Sequence, residues 1–265
     1  MIWPESDKFK AFRSEIEAHL PQNLLLRDIS SHPNTEYHKL SGRYDQAIYT
    51  VWVNHSFLGT EKLYLVSHEV THAWQYVYGY PHVYPVYATN DIPPDNDNMK
   101  DLISRIVVLA DRISAVVLDP AADRLLFARE IVQKELLSPT LPKISTEDFK
   151  MFDPIVFDRE LSRLPNSIKK KAKIDISAYW LNYGLGLITN GCILATGVLC
   201  LKEAERFDRA MVQTYYLYPE PIRRVSDTLN EIVVENDIGS ASGCRKALDS
   251  IIQYLNIPEE VMTIN

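Results

Sequence analysis

The chain has 265 residues, of which 46% are hydrophobic and 24% are charged, and its formal net charge is -7 at pH 7. This composition is typical of a globular protein with a substantial core, and it argues against disorder and against nucleic acid as the main partner. We expect a single domain over residues 1–265, in which residues 1–137 supply a sheet and the helices of a functional site and residues 138–265 form a helical remainder.

The N-terminal segment has no basic stretch followed by an apolar core, so no secretory signal is predicted. The three cysteines, Cys192, Cys200 and Cys244, are too few and too scattered for a disulfide framework. We therefore expect a cytoplasmic protein with reduced, mostly buried cysteines. The sequence indicates no particular oligomeric state.

The first quarter of the chain predicts one helix and a small sheet. Apolar residues at helical spacing predict an amphipathic helix over residues 6–19, ended by Pro21. Short segments rich in β-branched and aromatic residues then predict strands over residues 24–29, 37–40 and 47–53. Thr60 is a candidate N-cap for the helix that follows.

That next helix carries the most informative motif, His68-Glu69-Val70-Thr71-His72. Two histidines four residues apart project from one helix face, so both imidazoles can bind one zinc ion. Glu69 lies beside them as a general base for a metal-bound water. Glu69 is also the only charged residue in residues 63–80, which predicts a largely buried helix. The alternative is a half-exposed helix whose histidines bind backbone groups.

Residues 76–87 are rich in tyrosine and contain glycine and proline, so they predict a loop beside the site. His82 or a nearby tyrosine is a candidate donor for the oxyanion of a tetrahedral intermediate, with ordinary aromatic packing as the alternative. The acidic, proline-containing segment at residues 91–98 predicts a solvated loop.

The remainder of the chain predicts helices. The apolar spacing predicts helices over residues 99–118 and 120–137, a linker at Pro139 and Pro142, and further helices near residues 154–164, from residue 167, and over residues 203–215, 219–234 and 242–255. Lysines at residues 169–173 are interpreted as a solvated helix face.

Residues 176–201 carry no charge and are long enough to span a membrane. Their polar residues and glycines make a poor span, so we expect two core helices broken near Gly191 and regard a membrane association as unlikely.

Residues 65–75 together with residues 117–126 resemble the gluzincin branch of the zincin metallopeptidases. The resemblance implies an α+β, predominantly helical fold in which a small N-terminal sheet packs on the active-site helix of a zincin-like domain. In these families a second helix carries Glu-x-x-x-Asp. By position, His68 and His72 match the histidine ligands and Glu69 the catalytic base. Asp119 matches the third ligand, and Asp123 the carboxylate that supports a ligand histidine.

The third ligand departs from the family pattern, because Asp119 stands where the family has Glu. Asp is one methylene shorter, and Pro120 directly after it favours a helix cap at Asp119. Asp123 lies four residues further on and shares a face with it, so Asp123 is an alternative ligand. Glu130 is a further alternative.

We thus expect a zinc-dependent peptidase that acts on a peptide or protein substrate. A zincin-like regulatory or binding protein, with a structural or inactive metal site, is the alternative hypothesis. A membrane-associated peptidase that uses the charge-free segment is the third.

Overall fold

The computed structural model describes residues 1–33, 35–54, 56, 60–86, 97–134, 141–142, 185–259 and 261–265. This part of the chain is mainly helical, with helices α1 (Asp7–Glu17), α2 (Thr60–Val77), α3 (Asp97–Ala128), α4 (Leu185–Glu203), α5 (Arg209–Tyr215), α6 (Glu220–Val234) and α7 (Ala241–Tyr254). Its strands are β1 (Leu25–Asp28), β2 (Gly42–Asp45), β3 (Thr50–Val53), β4 (Val83–Pro85) and β5 (Met262–Ile264). The predicted helices at residues 154–164 and from residue 167, the basic run and most of the acidic loop lie outside the described residues.

The N-terminal sheet has the strand order β1-β3-β2, with β3 parallel to β1 and antiparallel to β2. The strand predicted at residues 24–29 is confirmed as β1, and the one at residues 47–53 is confirmed in its second half. The strand predicted at residues 37–40 is wrong, because residues 35–39 form a 3-10 helix. The hairpin turn after β2, where Asp45 accepts a hydrogen bond from the Ala47 amide, instead places residues 42–45 opposite β3.

Helix α1, which confirms the first helix prediction, packs with β3 and α2 around one core. Its N-cap is Ser6, whose hydroxyl accepts from the Phe9 amide. The core buries apolar residues from all three elements, including Phe9, Phe12, Val51, Val66 and Val70. Strand β2 lies at the sheet edge and contacts α2, so this core fixes the strand beside the helix that carries both histidines.

Helix α3 is continuous from Asp97 to Ala128, so the predicted helix boundary at Pro120 and the predicted cap at Asp119 are both wrong. A proline in a helix interior removes one hydrogen bond of the helix, and its ring crowds the carbonyl of the residue four positions earlier. Residues on both sides of it, including Val116, Val117, Ala121 and Ala122, are buried against the rest of the protein. This packing outweighs the local cost of the proline.

Helix α4 runs without interruption through Gly191, so the predicted break there is also wrong. A Cβ added at Gly191 would lie 2.4 Å from Val225 of α6, which shows that the glycine allows two helices to approach closely. By length and hydropathy α4 can cross a membrane, but over half of its most apolar stretch is buried inside the protein. That burial is typical of a core helix.

The C-terminal part contains one strand that the sequence did not predict. Strand β5 pairs antiparallel with β4. The predicted loop over residues 76–87 therefore contains a strand, and the C-terminal half of the chain, which was predicted to be helical, contains one as well. The helix predicted over residues 203–215 begins only at Arg209, after the N-cap Asp208. The last two predicted helices are confirmed as α6 and α7.

Candidate metal centre

His68, His72 and Asp119 form the one group of potential metal ligands found in the described part of the chain. The two histidines project from one face of α2, and the aspartate comes from α3. His68 Nε2 lies 3.2 Å from His72 Nε2, and Asp119 Oδ1 lies 3.5 Å from His72 Nε2 and 4.0 Å from His68 Nε2. This cluster can hold a metal ion.

The spacing of these atoms can be compared with the spacing that a tetrahedral zinc site requires. Ligands about 2.0 to 2.1 Å from zinc stand about 3.3 Å from one another. The separation of the two imidazoles matches that value, and the contact of Asp119 with His72 is within a few tenths of an ångström of it. The distance from Asp119 to His68 is 4.0 Å, which is longer by about 0.7 Å. Two of the three separations therefore fit a tetrahedral metal ion bound at this distance.

The second nitrogen of each imidazole is already engaged. His68 Nδ1 lies 2.9 Å from Asp123 Oδ1, and His72 Nδ1 lies 2.8 Å from Gln75 Oε1. The Gln75 amide in turn donates to the carbonyl of Leu118 in α3, at 2.8 Å. Acceptors at Nδ1 fix the tautomer that leaves Nε2 free to bind a metal, as in many metalloproteins.

Asp123 is fully buried and faces the Nδ1 side of His68, away from the ligand cluster. Its carboxylate also accepts a hydrogen bond from the Tyr64 hydroxyl, at 3.0 Å. The structure thus places Asp123 as a support for His68. Glu130, the other alternative ligand, is exposed just after α3 and pairs with Lys8.

The charges around His68 set its protonation state. Burial lowers the pKa of this imidazole, but the charge and hydrogen bond of Asp123, with smaller contributions from nearby carboxylates, raise it to about 10. The raised pKa favours the protonated imidazole over the neutral one when no metal is bound. A metal ion that binds its Nε2 must release that proton, so we expect metal affinity to rise with pH.

The side chain of Glu69, a residue of α2, is buried against the edge strand β2. Burial raises the pKa of its carboxyl, against the opposing effect of the two histidines. The strand comes so close that a Cβ added at Gly42 would lie 2.6 Å from Glu69 Oε1. Any larger residue at this point would require the Glu69 side chain to move.

Glu69 and the three ligand residues line a cleft of about 830 Å³ between β2, α2, α3 and β4. His82 also lines it, and burial, helped by the neighbouring His72, lowers the pKa of the His82 imidazole to about 4. The neutral ring at physiological pH can donate a hydrogen bond into the cleft. Arg43 of β2 and Asp111 of α3 pair across the cleft at 3.7 Å.

Sequence reasoning missed several residues of this site. Gln75 carries a readable signal, because it lies one helical turn after His72 on a face already assigned to the metal. Tyr64 similarly precedes His68 by four residues. Gly42 and Arg43 carry no such signal, because their positions depend on how the sheet packs on α2.

Comparison with protein-family models, with curated proteins and with solved structures found no match for this chain. Its function must therefore be inferred from the residues of the site.

Proposed function

We propose that this protein is a zinc-dependent hydrolase, and specifically a metallopeptidase. His68, His72 and Asp119 would hold the zinc ion, and Glu69 would act as the general base. The observation that supports this most directly is the convergence of both Nε2 atoms and Asp119 Oδ1, with each Nδ1 atom held by its own acceptor.

The ligand set favours zinc, and it favours a catalytic site over a structural one. Imidazole nitrogen with one carboxylate oxygen is a frequent combination for zinc, whereas Ca²⁺ and Mg²⁺ prefer oxygen ligands only. Structural zinc sites usually have four protein ligands, while catalytic sites have three and keep one position for water or substrate. Zinc in this position supplies Lewis acidity toward a carbonyl oxygen and makes water a better nucleophile at neutral pH.

The protein's own groups would handle the proton and hold the geometry. Glu69 accepts the proton of the attacking water and returns it to the leaving amine, and the raised pKa of its buried carboxyl makes it a stronger base. Asp123 and Gln75 keep the two imidazoles oriented. The packing of Gly42 against Glu69 limits where that carboxylate can lie.

The edge strand supports a peptide as the substrate. Strand β2 pairs with β3 along one edge only, within the described sheet, and all four of its residues line the cleft. An extended peptide can add to such an edge by main-chain hydrogen bonds, which brings a peptide bond next to Glu69.

The proposal can be tested with Glu69→Gln. An amide cannot accept the proton of water at neutral pH, so this variant should bind zinc and remain folded but lose hydrolysis of a broad peptide library by at least about 100-fold. Glu231→Gln, at an exposed position on α6, is the matched control and should hydrolyse as the parent does. Chelation should abolish the activity of the parent, and zinc should restore it.

Equal turnover by the parent and Glu69→Gln would exclude Glu69 as the base. A zinc-loaded parent that cleaves no member of the library would refute the peptidase and favour the regulatory or binding alternative.

A further inference from the structure

Arg112 is a cationic residue of the cleft that the proposed chemistry does not use. It lies on α3, is half-buried and lines the cleft together with the ligand residues. It precedes Asp119 by seven residues, which is two helical turns, so the two side chains share a helix face about 10 Å apart. Arg112 has no hydrogen bond or ion pair with any residue in the described ranges.

The other charged residues around Arg112 already have partners. Arg43 pairs with Asp111 at 3.7 Å and stacks over the Tyr37 ring at 4.2 Å. Asp45, at the far end of β2, accepts a hydrogen bond from a backbone amide of its own turn. Arg112 therefore differs from Arg43, because the nearby Asp111 carboxylate acts on it only through its charge and forms its ion pair with Arg43.

A guanidinium in a partly dry cleft gains most from an anionic oxygen pair. Arginine presents a planar fork of N–H donors that matches a carboxylate in a bidentate geometry, and such charge-assisted hydrogen bonds are about twice as strong as neutral ones. The cleft is also where the proposed substrate lies. A carboxylate on that substrate would supply the missing partner.

We propose that Arg112 binds a carboxylate of the peptide substrate, which makes the cleft selective for acidic peptides. This inference rests on the proposed peptidase function. An extended peptide advances about 3.3 to 3.6 Å per residue, so a group about 10 Å from the metal ligands lies about three residues from the bond to be cleaved. The carboxylate can come from an Asp or Glu side chain or from the free C-terminus.

Binding of labelled peptides, measured by fluorescence anisotropy on zinc-loaded Glu69→Gln, tests this without turnover. The probes are short alanine-based peptides in which one Glu is moved along the chain, matched peptides with Gln in its place, and both sets with a free or an amidated C-terminus. We expect Glu at one position, or a free C-terminus, to strengthen binding about tenfold over the neutral peptide, as one charge-assisted hydrogen bond would.

Added to that background, Arg112→Gln should remove this preference and leave binding of the neutral peptide unchanged. Arg112→Lys should keep only part of it, because a point charge lacks the bidentate fork. Arg245→Gln, which removes an exposed arginine on α7, is the matched control and should bind as the background does. Loss of the preference on amidation would identify the C-terminus as the source, and its retention would identify the side chain.

The proposal is overturned if acidic and neutral peptides bind equally, if neither binds, or if Arg43→Gln removes the preference while Arg112→Gln does not. A parent that selects acidic peptides through Arg112 but hydrolyses none of them would refute the peptidase and leave the carboxylate site in place. A parent that hydrolyses peptides without regard to charge would refute the carboxylate site alone.

Discussion

Under the proposed peptidase function, Gly42→Ala should reduce catalysis without unfolding the protein. The added Cβ would lie 2.6 Å from Oε1 and 2.8 Å from Cγ of Glu69, whereas ordinary contacts need about 3.5 Å or more. The carboxylate must therefore move by about 1 Å. Gly42 does not have a left-handed backbone conformation, so alanine fits the strand itself. A misplacement of about 1 Å at a catalytic group can cost about 100-fold in rate.

The expected cost to stability is much smaller. Alanine is preferred over glycine in a strand by about 0.5 to 1 kcal/mol, and a Glu69 side chain forced off its rotamer costs about 0.5 to 1.5 kcal/mol. These contributions nearly cancel. The free energy of unfolding of Gly42→Ala should thus remain within about 1 kcal/mol of the parent value in urea denaturation.

The assay is hydrolysis of the best library peptide by zinc-loaded parent, Gly42→Ala, Glu69→Gln and the double variant. Because Gly42→Ala acts through Glu69, it should lower kcat by about 10- to 100-fold in the parent and add almost nothing in the Glu69→Gln background. A control, Gly239→Ala, changes a glycine in the turn between α6 and α7 and should leave kcat unchanged. Full activity in Gly42→Ala, or an equal loss in both backgrounds, would refute the positioning role of Gly42.

Two further predictions concern the ligands and the cleft. Asp119→Ala should weaken zinc binding far more than Asp123→Ala, for which the loss of a supporting group should cost roughly 10- to 100-fold in affinity. In thermal denaturation Asp123→Ala should be the less stable variant, because it leaves the buried donors of Tyr64 and His68 without an acceptor. The reverse order of zinc affinities, measured by competition with a chromogenic chelator, would exchange the two roles. His82 has a pKa of about 4 in the folded protein against a usual value of 6.5, so between these pH values only the unfolded chain takes up the proton. The free energy of unfolding should therefore fall by about 1 to 3 kcal/mol as the pH decreases from 6.5 to 4. In urea denaturation across this pH range, the free energy of unfolding of His82→Asn should fall less steeply.

Some of the site could be predicted from sequence, because its geometry is local. The pair His68 and His72 lies on one face of any helix that contains it, and the same rule places Gln75 beside His72. Asp119 and Asp123 also share a helix face, but only if the helix continues past Pro120. Local preference predicted an interruption there, and tertiary packing on both sides of the proline overrides it.

Other features depend on contacts between distant parts of the chain. The close contact of Gly42 is with Glu69 on another element, so in the sequence this residue resembles an ordinary turn glycine. Likewise Gly191 marks a close approach to α6 and not a helix end. Strand β4 is short, and its partner β5 lies far away in the sequence, at the C-terminal end of the chain, so no local pattern can reveal the pairing.

The X-ray absorption spectrum of the zinc-loaded protein at the zinc edge tests the metal centre most directly. We expect two imidazole nitrogens and oxygen ligands at about 2.0 to 2.1 Å, with no sulfur. Replacement of His68 or His72 by alanine should remove the corresponding imidazole signal. A zinc–sulfur distance of about 2.3 Å, which would indicate Cys200 as a ligand, or a protein that retains no zinc, would contradict the site formed by His68, His72 and Asp119.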